Sequence, residues 1–195
     1  MDKARVNRAV LLGWYWEQVE NCRWHNRLMA DLLKSHPGRF YAFAACNPKA
    51  APEHVLEILE EAREAGFSGV GELLPQVQGH DLKSPGMIAL LDYCQRHQWP
   101  LNFHVTEPVG HPYPGRVETP LEPLVTLAAE FPENTFIFAH LGGLLPFYEL
   151  NPQVARSLQN VYYDTAACPL LYHPKSLALA IEVVGSEKIL WGTDF

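Results

Sequence analysis

Three residues that can bind a metal ion stand directly after short, mostly apolar runs. His104, His140 and Asp194 each end such a run. A strand with its covering helix takes roughly 30 residues, and the gaps between these residues, 36 and 54, are near one and two such units. The spacing therefore predicts that two imidazoles and a carboxylate meet on one rim of a parallel barrel.

The same spacing extends along the whole chain. Read as strand ends, seven positions follow one another at intervals of 34, 25, 32, 36, 24 and 30 residues: Gly13, Asn47, Glu72, His104, His140, Asp164 and Asp194. Helical patterns lie between them, which predicts a parallel α/β fold. Ligands at several successive strand ends favour a barrel over an open sheet, because closure brings all carboxyl ends around one mouth.

We therefore predict a (β/α)8 TIM barrel that forms a single domain over residues 1–195. A complete barrel typically needs about 250 residues, whereas only seven strands are recognisable here. The first begins at Arg5, and no helix follows the last. The expected fold is an incomplete barrel, with strands 2 to 8 present and the first strand and last helix missing. A helix is predicted over 145–158, after His140.

Composition restricts the partners. A net charge of −7 and a pI near 5.7 disfavour nucleic acid and anionic membranes as partners. Neither a signal peptide nor an apolar run of about 18 residues is visible, and the four cysteines form no CxxC pair. We expect a cytoplasmic protein with reduced thiols and a small-molecule substrate, and a homo-oligomer is a further option.

The chemistry of the three strand-end residues suits a metal centre. Two neutral imidazoles on adjacent strands can bind one divalent cation, and a carboxylate at Asp194 can bind it too and accept a proton from its water. Each residue also has a simpler interpretation. His104 and His140 could cap their strands, and Asp194 could be a helix N-cap.

Five segments resemble the amidohydrolase superfamily, in particular its amidohydrolase-related (amidohydrolase 2) group of metal-dependent TIM-barrel hydrolases and decarboxylases. They are GVGELLPQVQG, NFHVTEPVGHPYPG, FAHLGG, NVYYDTAA and ILWGTDF. The resemblance implies that His104 binds metal, that His140 binds a second metal or acts beside a single one, and that Asp194 binds metal and handles protons. The family's first-strand His-x-His pair is absent from this sequence, which agrees with a missing first strand.

Glu72 bears on the number of metal ions. Its Gly-Glu pair resembles the fourth-strand glutamate that binds metal in TatD-like nucleases of the same superfamily, which would imply two ions. The rest of that signature is absent, so a carboxylate that is structural or that orients substrate is an equal alternative.

The loop over 106–120 is long for a connection between a strand and a helix, and such loops often carry function. His111, Tyr113 and Arg116 are candidates for substrate binding, with Arg116 suited to a carboxylate. Glu107 and Asp164 could orient a ligand histidine.

The leading hypothesis is a metal-dependent hydrolase in which a divalent ion activates water, with Asp194 and His140 as catalytic residues. Zinc is the first choice of metal, and manganese or iron are alternatives. A nonoxidative decarboxylase or a hydratase on the same scaffold is the second hypothesis. A catalytically inactive fragment that lacks the His-x-His pair is the third.

Overall fold

The computed structural model describes residues 1–194, in which strands and helices alternate. The strands are β1 (Ala9–Leu11), β2 (Phe40–Ala42), β3 (Val70–Leu73), β4 (Leu101–Phe103), β5 (Phe136–Phe138), β6 (Val161–Asp164) and β7 (Ile189–Leu190). The helices are α1 (Val19–Ser35), α2 (Pro52–Glu64), α3 (Pro75–Gln78), α4 (Pro85–His97), α5 (Leu121–Glu130), α6 (Pro152–Ser157), α7 (Cys168–Leu171) and α8 (Lys175–Val184). Stretches of 3-10 helix occur at Asp2–Ala4, His140–Leu150 and Ser186–Lys188.

The chain divides into two compact units, the first over Met1–Leu101 and the second starting at Asn102. In the first unit β1 and β2 pair in parallel, with Ala9 opposite Phe40. A bridge between Ala44 and Val70 continues the parallel pairing to β3. This unit therefore contains successive parallel strands joined by helices, as the alternating pattern predicts.

The helices of the first unit bury one apolar face each. Pro52 starts α2, where its missing N–H costs nothing because the first helical N–H groups have no partner within the helix. Val55, Ile58 and Leu59 lie on one face of α2 and are completely buried. Helix α2 packs against α4, whose N-cap Ser84 accepts a hydrogen bond from the Met87 N–H. The helical spacing in the sequence thus corresponds to real packing faces.

The second unit is built on parallel strands with an aromatic core. Phe136 is opposite Val161 in the β5–β6 pair, β6 pairs in parallel with β7, and the Ala139 N–H donates to the carbonyl of Phe103 at 2.9 Å. Phe103 and Phe138 are fully buried, with ring centroids 6.1 Å apart. The carboxyl ends of β4 and β5 are therefore held side by side.

A buried ion pair supports the amino end of β7. Lys188 Nζ lies 2.9 Å from Glu149 Oε2 and donates to the carbonyl of Leu158 at 2.8 Å. The Tyr163 hydroxyl donates to Glu149 Oε1 at 2.6 Å. Burial and the carboxylate of Glu149 raise the pKa of Tyr163 well above its ordinary value, so this tyrosine stays protonated and acts as a donor.

The helix predicted over 145–158 is wrong in its first half. Residues His140–Leu150 form 3-10 turns that contain Pro146. A short α6 then begins after Asn151, whose side chain caps it by accepting from the Gln153 N–H at 3.0 Å. Pro146 lacks the N–H that a regular helix needs, and a left-handed stretch at 141–144 directly precedes the predicted helix.

Among residues 1–194, no helix is both long and apolar enough to cross a membrane.

Candidate metal centre

Two histidines of the second unit lie in direct contact. His104 follows β4 and His140 follows β5 after one residue, and they are 9% and 3% exposed. His140 Nε2 is 3.1 Å from His104 Nδ1, and the rings meet edge to face with centroids 4.7 Å apart. The parallel pairing of the two strands thus brings together two imidazoles that are 36 residues apart in the sequence.

The orientation of His140 is set by a backbone carbonyl. Its Nδ1 lies 3.1 Å from the carbonyl oxygen of Ala166. A carbonyl can only accept, so Nδ1 carries the proton and the lone pair of Nε2 points toward His104. A neutral imidazole with its other nitrogen tied to a carbonyl is the usual state of a metal-binding histidine.

The nitrogen separation fits a shared cation. Two nitrogens bound to one tetrahedral zinc at 2.0–2.1 Å stand about 3.4 Å apart. Adjacent ligands of an octahedral ion with bonds of about 2.1 Å stand about 3 Å apart. The observed 3.1 Å between His140 Nε2 and His104 Nδ1 lies between these values, so the donor set in this unit fits a divalent metal. A catalytic centre needs at least one further protein ligand.

Asp194, the third predicted ligand, lies in a different environment. It is exposed and has a left-handed backbone with φ 61°. Within residues 1–194, its oxygens do not join a nitrogen of His104 and one of His140 in a group of ligand atoms within 4.8 Å. The structure brings the two imidazoles together, and the role of Asp194 as a third ligand stays a prediction.

Glu72 belongs to the first unit and lies within β3. It is partly buried, and its backbone N–H donates to the carbonyl of Gly13. A side chain at Gly13 would not fit, because a Cβ there would lie 2.3 Å from the Ala45 nitrogen. Glycine at position 13 thus allows the close approach to Ala45, and the role of Glu72 as a ligand also stays a prediction.

A buried carboxylate supports His140. Asp164 is 7% exposed, and its Oδ1 accepts from the N–H groups of His140 and Ala166, both at 3.0 Å. Its Oδ2 accepts from Asn102 Nδ2 at 3.3 Å. Asn102 was not among the sequence candidates, although a polar residue inside the apolar run before His104 was a visible signal. The contribution of the Ala166 carbonyl has no sequence signal, because every residue has one.

The backbone after β5 turns in the left-handed sense. His140 has φ 58°, and the next four residues, at 141–144, have φ between 55° and 72°. Glycine occupies the two positions of this turn where a side chain would collide with neighbouring residues. A Cβ at Gly142 would lie 2.8 Å from the Tyr163 ring, and one at Gly143 would lie 2.8 Å from the carbonyl oxygen of Thr106. The Gly-Gly pair of FAHLGG therefore lets this turn pack against neighbouring strands.

The 106–120 loop is organised around Glu107, which is 8% exposed. Arg116 Nε lies 3.3 Å from Glu107 Oε1, and the Tyr113 and Tyr172 hydroxyls donate to Oε2 at 3.1 and 3.3 Å. Burial and the Glu107 charge raise the pKa of Tyr113 to about 12. His111 is exposed. Arg116 and Tyr113 thus hold the loop through Glu107, and substrate binding by these three loop residues stays a prediction.

A cavity of about 350 Å³ opens in the second unit, beside this loop and the left-handed turn. Its walls are residues 107–109, 143–144 and 147–148. Most are apolar, and both loop and turn follow the carboxyl ends of strands. The volume is within the range of small-molecule pockets.

Comparison with known proteins identifies the family. The Amidohydrolase family model matches residues 3–195, nearly the whole chain. This match agrees with the resemblance seen in the sequence segments.

Solved structures show the fold. A manganese-bound 5-carboxyvanillate decarboxylase from Novosphingobium aromaticivorans aligns with a TM-score of 0.75 and 18% identity, covering 99% of this chain and 68% of that one. A dihydroxybenzoic acid decarboxylase from Polaromonas, also with bound manganese, gives 0.68 and 19%, covering 98% and 69%. A TIM-barrel protein from Bordetella bronchiseptica gives 0.72 and 19%, covering 97% and 65%.

These alignments confirm the TIM-barrel prediction. The chain has the fold of metal-dependent TIM-barrel proteins, and it spans 65 to 69% of the length of these three. Identities below 20% establish the fold and leave the reaction open.

Proposed function

The chain belongs to the amidohydrolase family, and from this membership we propose that it acts as a metal-dependent decarboxylase of small hydroxylated aromatic acids. The main structural support for this proposal is the buried pair of His104 and His140, whose facing nitrogens lie 3.1 Å apart. Decarboxylases recur among the structures that share its fold, acting on 5-carboxyvanillate and dihydroxybenzoates.

His104 and His140 are the proposed core of the metal site. Glu72 and Asp194, both predicted from the sequence, are proposed as further ligands. Manganese is the first choice of ion, because related structures contain it, and zinc is the second. The bound cation would orient the substrate and polarise its oxygen atoms.

The cavity walls favour an aromatic substrate. Pro108, Val109, Leu144 and Phe147 offer apolar surface to a ring, and a cavity of about 350 Å³ accepts a molecule of this size. An apolar wall also weakens the hydration of a bound carboxylate, which favours loss of neutral carbon dioxide.

The chain's residues have defined tasks in this reaction. The bond between ring carbon and carboxyl carbon breaks, carbon dioxide leaves, and the ring carbon takes a proton. Asp194 is the proposed proton carrier, because an exposed carboxylate at a strand's carboxyl end can exchange protons with solvent. His140, with its Nδ1 proton held by the Ala166 carbonyl, would offer the lone pair of Nε2 to a bound cation.

Product analysis tests the proposal. The protein loaded with manganese is incubated with 5-carboxyvanillate or 2,6-dihydroxybenzoate, and carbon dioxide is measured together with the decarboxylated phenol. We expect equal amounts of both products. The His104→Asn variant should lose the activity, whereas His54→Asn, a change at an exposed position of α2, should keep it.

Hydrolysis is the second candidate, because the family description itself names amidohydrolases. In this case the ion would activate water and Asp194 would accept its proton. Hydrolysis of amides or lactones by the metal-loaded protein, with no carbon dioxide from any carboxylated substrate, would contradict the decarboxylase proposal and support this one.

A further inference from the structure

Asp164 and its neighbours form a closed ring of hydrogen bonds around His140. The His140 N–H donates to Asp164 Oδ1, and the Ala166 N–H donates to the same oxygen, each at 3.0 Å. The Ala166 carbonyl accepts from His140 Nδ1 at 3.1 Å. One carboxylate therefore holds both the backbone of the histidine and the residue whose carbonyl selects its tautomer.

From this ring we propose that Asp164 is the positioning residue of the metal site, which keeps His140 in the Nδ1–H tautomer with Nε2 directed at His104. The inference deepens the proposed function and rests on it only for the role of His140 as a metal ligand. In this proposal Asp164 acts through the backbone N–H groups of His140 and Ala166 and has no direct role toward the substrate.

The backbone conformation explains why His140 needs such support. His140 begins the left-handed turn with φ 58°, a region that residues with a Cβ avoid. A hydrogen bond from its N–H to a buried carboxylate is stronger than one to a neutral acceptor. The bond therefore fixes a conformation that the chain would otherwise leave, and the ring orientation follows from the backbone.

Asn102 completes the support from β4. Its Nδ2 donates to Asp164 Oδ2 at 3.3 Å, while its own Oδ1 is buried without a hydrogen-bond partner. This arrangement makes an Asp164→Asn change informative. The new amide would keep one oxygen for the two backbone donors, and its NH2 group could donate to Asn102 Oδ1 once the Asn102 amide rotates by half a turn.

The test measures the imidazole tautomer directly. Protein with 15N-labelled histidine is compared by NMR, free of metal, as wild type, Asp164→Ala and Asp164→Asn. Affinity for Mn²⁺ alone is measured on the same samples by titration. Glu149→Ala is the matched control, because Glu149 is another buried carboxylate of this unit with hydroxyl and ammonium donors and takes no part in the ring around His140.

We expect Asp164→Ala to show both tautomers of His140 and to bind Mn²⁺ about 10- to 100-fold more weakly, the usual effect of losing an outer hydrogen-bond partner of a ligand. Asp164→Asn should keep the single tautomer and stay within about threefold of wild type, since the acceptor is retained. Glu149→Ala should lower thermal stability and leave the His140 signals unchanged.

The proposal is overturned if folded Asp164→Ala keeps only the Nδ1–H tautomer, or if Glu149→Ala changes the tautomer equally. Should Asp164→Ala not fold, Asp164→Ser takes its place, because a short hydroxyl cannot reach both N–H donors. Failure of the decarboxylase proposal would appear as absence of carbon dioxide in wild type. It would leave the tautomer comparison unaffected.

Discussion

At the scale of single residues, strand-end spacing was enough to predict that His104 and His140 meet. Parallel strands place their carboxyl ends on one side, so residues after successive strands become neighbours whatever their separation in sequence. Spacing could not predict the carbonyl of Ala166 or the positive φ of His140, because both depend on the path of the backbone. Nor did the spacing predict the ion pair between Arg116 and Glu107, because this pair depends on the path of the loop.

Removal of either imidazole should strongly weaken metal binding. His104→Ala or His140→Ala deletes one of two nitrogens that lie 3.1 Å apart, so we expect the affinity for Mn²⁺ or Zn²⁺ to fall at least about 100-fold, more than loss of an outer partner costs. Isothermal titration measures this effect, with exposed His54→Ala as control. Wild-type affinity in either site variant would remove that histidine from the site.

Asp194 can be tested separately as a proton carrier. Asp194→Asn keeps the shape and removes the titratable carboxylate, so kcat should fall at least about 100-fold. Substrate KM should change far less if the residue acts on protons. The measurement is steady-state kinetics of the metal-loaded protein, and undiminished kcat would exclude Asp194 from the mechanism.

At the scale of elements, periodicity predicted the α/β alternation well and failed where prolines and glycines dominate. Helices α5 (Leu121–Glu130) and α8 (Lys175–Val184) are regular and lie between successive strands, as the alternating pattern predicts. In contrast, the first half of the helix predicted over 145–158 forms 3-10 turns that contain Pro146. Apolar residues occur in both conformations, so apolar composition alone did not separate them.

The left-handed turn should be sensitive to substitution at Gly143. An alanine there would combine a positive φ of 61° with a Cβ 2.8 Å from the carbonyl oxygen of Thr106. We expect a loss of about 2 to 4 kcal/mol in the free energy of unfolding, from the conformational cost and the clash together. Gly115→Ala is the control, because it has φ 88° and open space around it. A denaturant titration that gave equal losses in both variants would contradict the packing argument.

His25 of α1 should make the first unit sensitive to acid. Its Nδ1 accepts from Trp16 Nε1 at 2.9 Å and from the Trp14 N–H at 3.3 Å, and burial lowers its pKa below the ordinary value of 6.5. The unfolded chain therefore binds the proton more readily, so stability is full above about pH 6.5 and decreases as the pH falls below it. His80, whose pKa burial also lowers, adds to the same trend.

Unfolding followed by circular dichroism between pH 5 and 8 measures this dependence. In His25→Gln the amide oxygen can accept in place of Nδ1 without titrating, so the slope between pH 5 and 6.5 should become smaller. An unchanged slope would assign the acid sensitivity to other groups.

At the scale of the whole molecule, family membership and net charge limit the class of function but do not identify the reaction. A net charge of −7 disfavoured nucleic acid, and the family match over 3–195 agrees with an enzyme scaffold. The chain forms two compact units that divide after Leu101, and the single domain expected over 1–195 stays a prediction. The sequence could not separate decarboxylation from hydrolysis, because one barrel supports both.

Metal should stabilise the folded protein as a whole. At a concentration 100 times Kd, a ligand that binds only the folded state adds about 2.7 kcal/mol, which for a chain of this size raises Tm by roughly 5 to 11 °C. Thermal melting with Mn²⁺, then with excess EDTA, measures the shift, which should vanish in His104→Ala. An equal shift in that variant would mean that the ion binds elsewhere.

The turn from His140 to Leu144 has the backbone angles of a left-handed helix. The conformational energy of this turn therefore depends on the chirality of its residues. Each L-residue wound in that sense costs roughly 1 to 2 kcal/mol, so three of them together cost about 3 to 6 kcal/mol, while achiral glycine at 142 and 143 keeps the total from growing. A D-amino acid would prefer this winding. Chemical ligation with D-leucine at position 144 would therefore favour the turn that places the imidazole, an effect that no genetically encoded substitution other than glycine can approach.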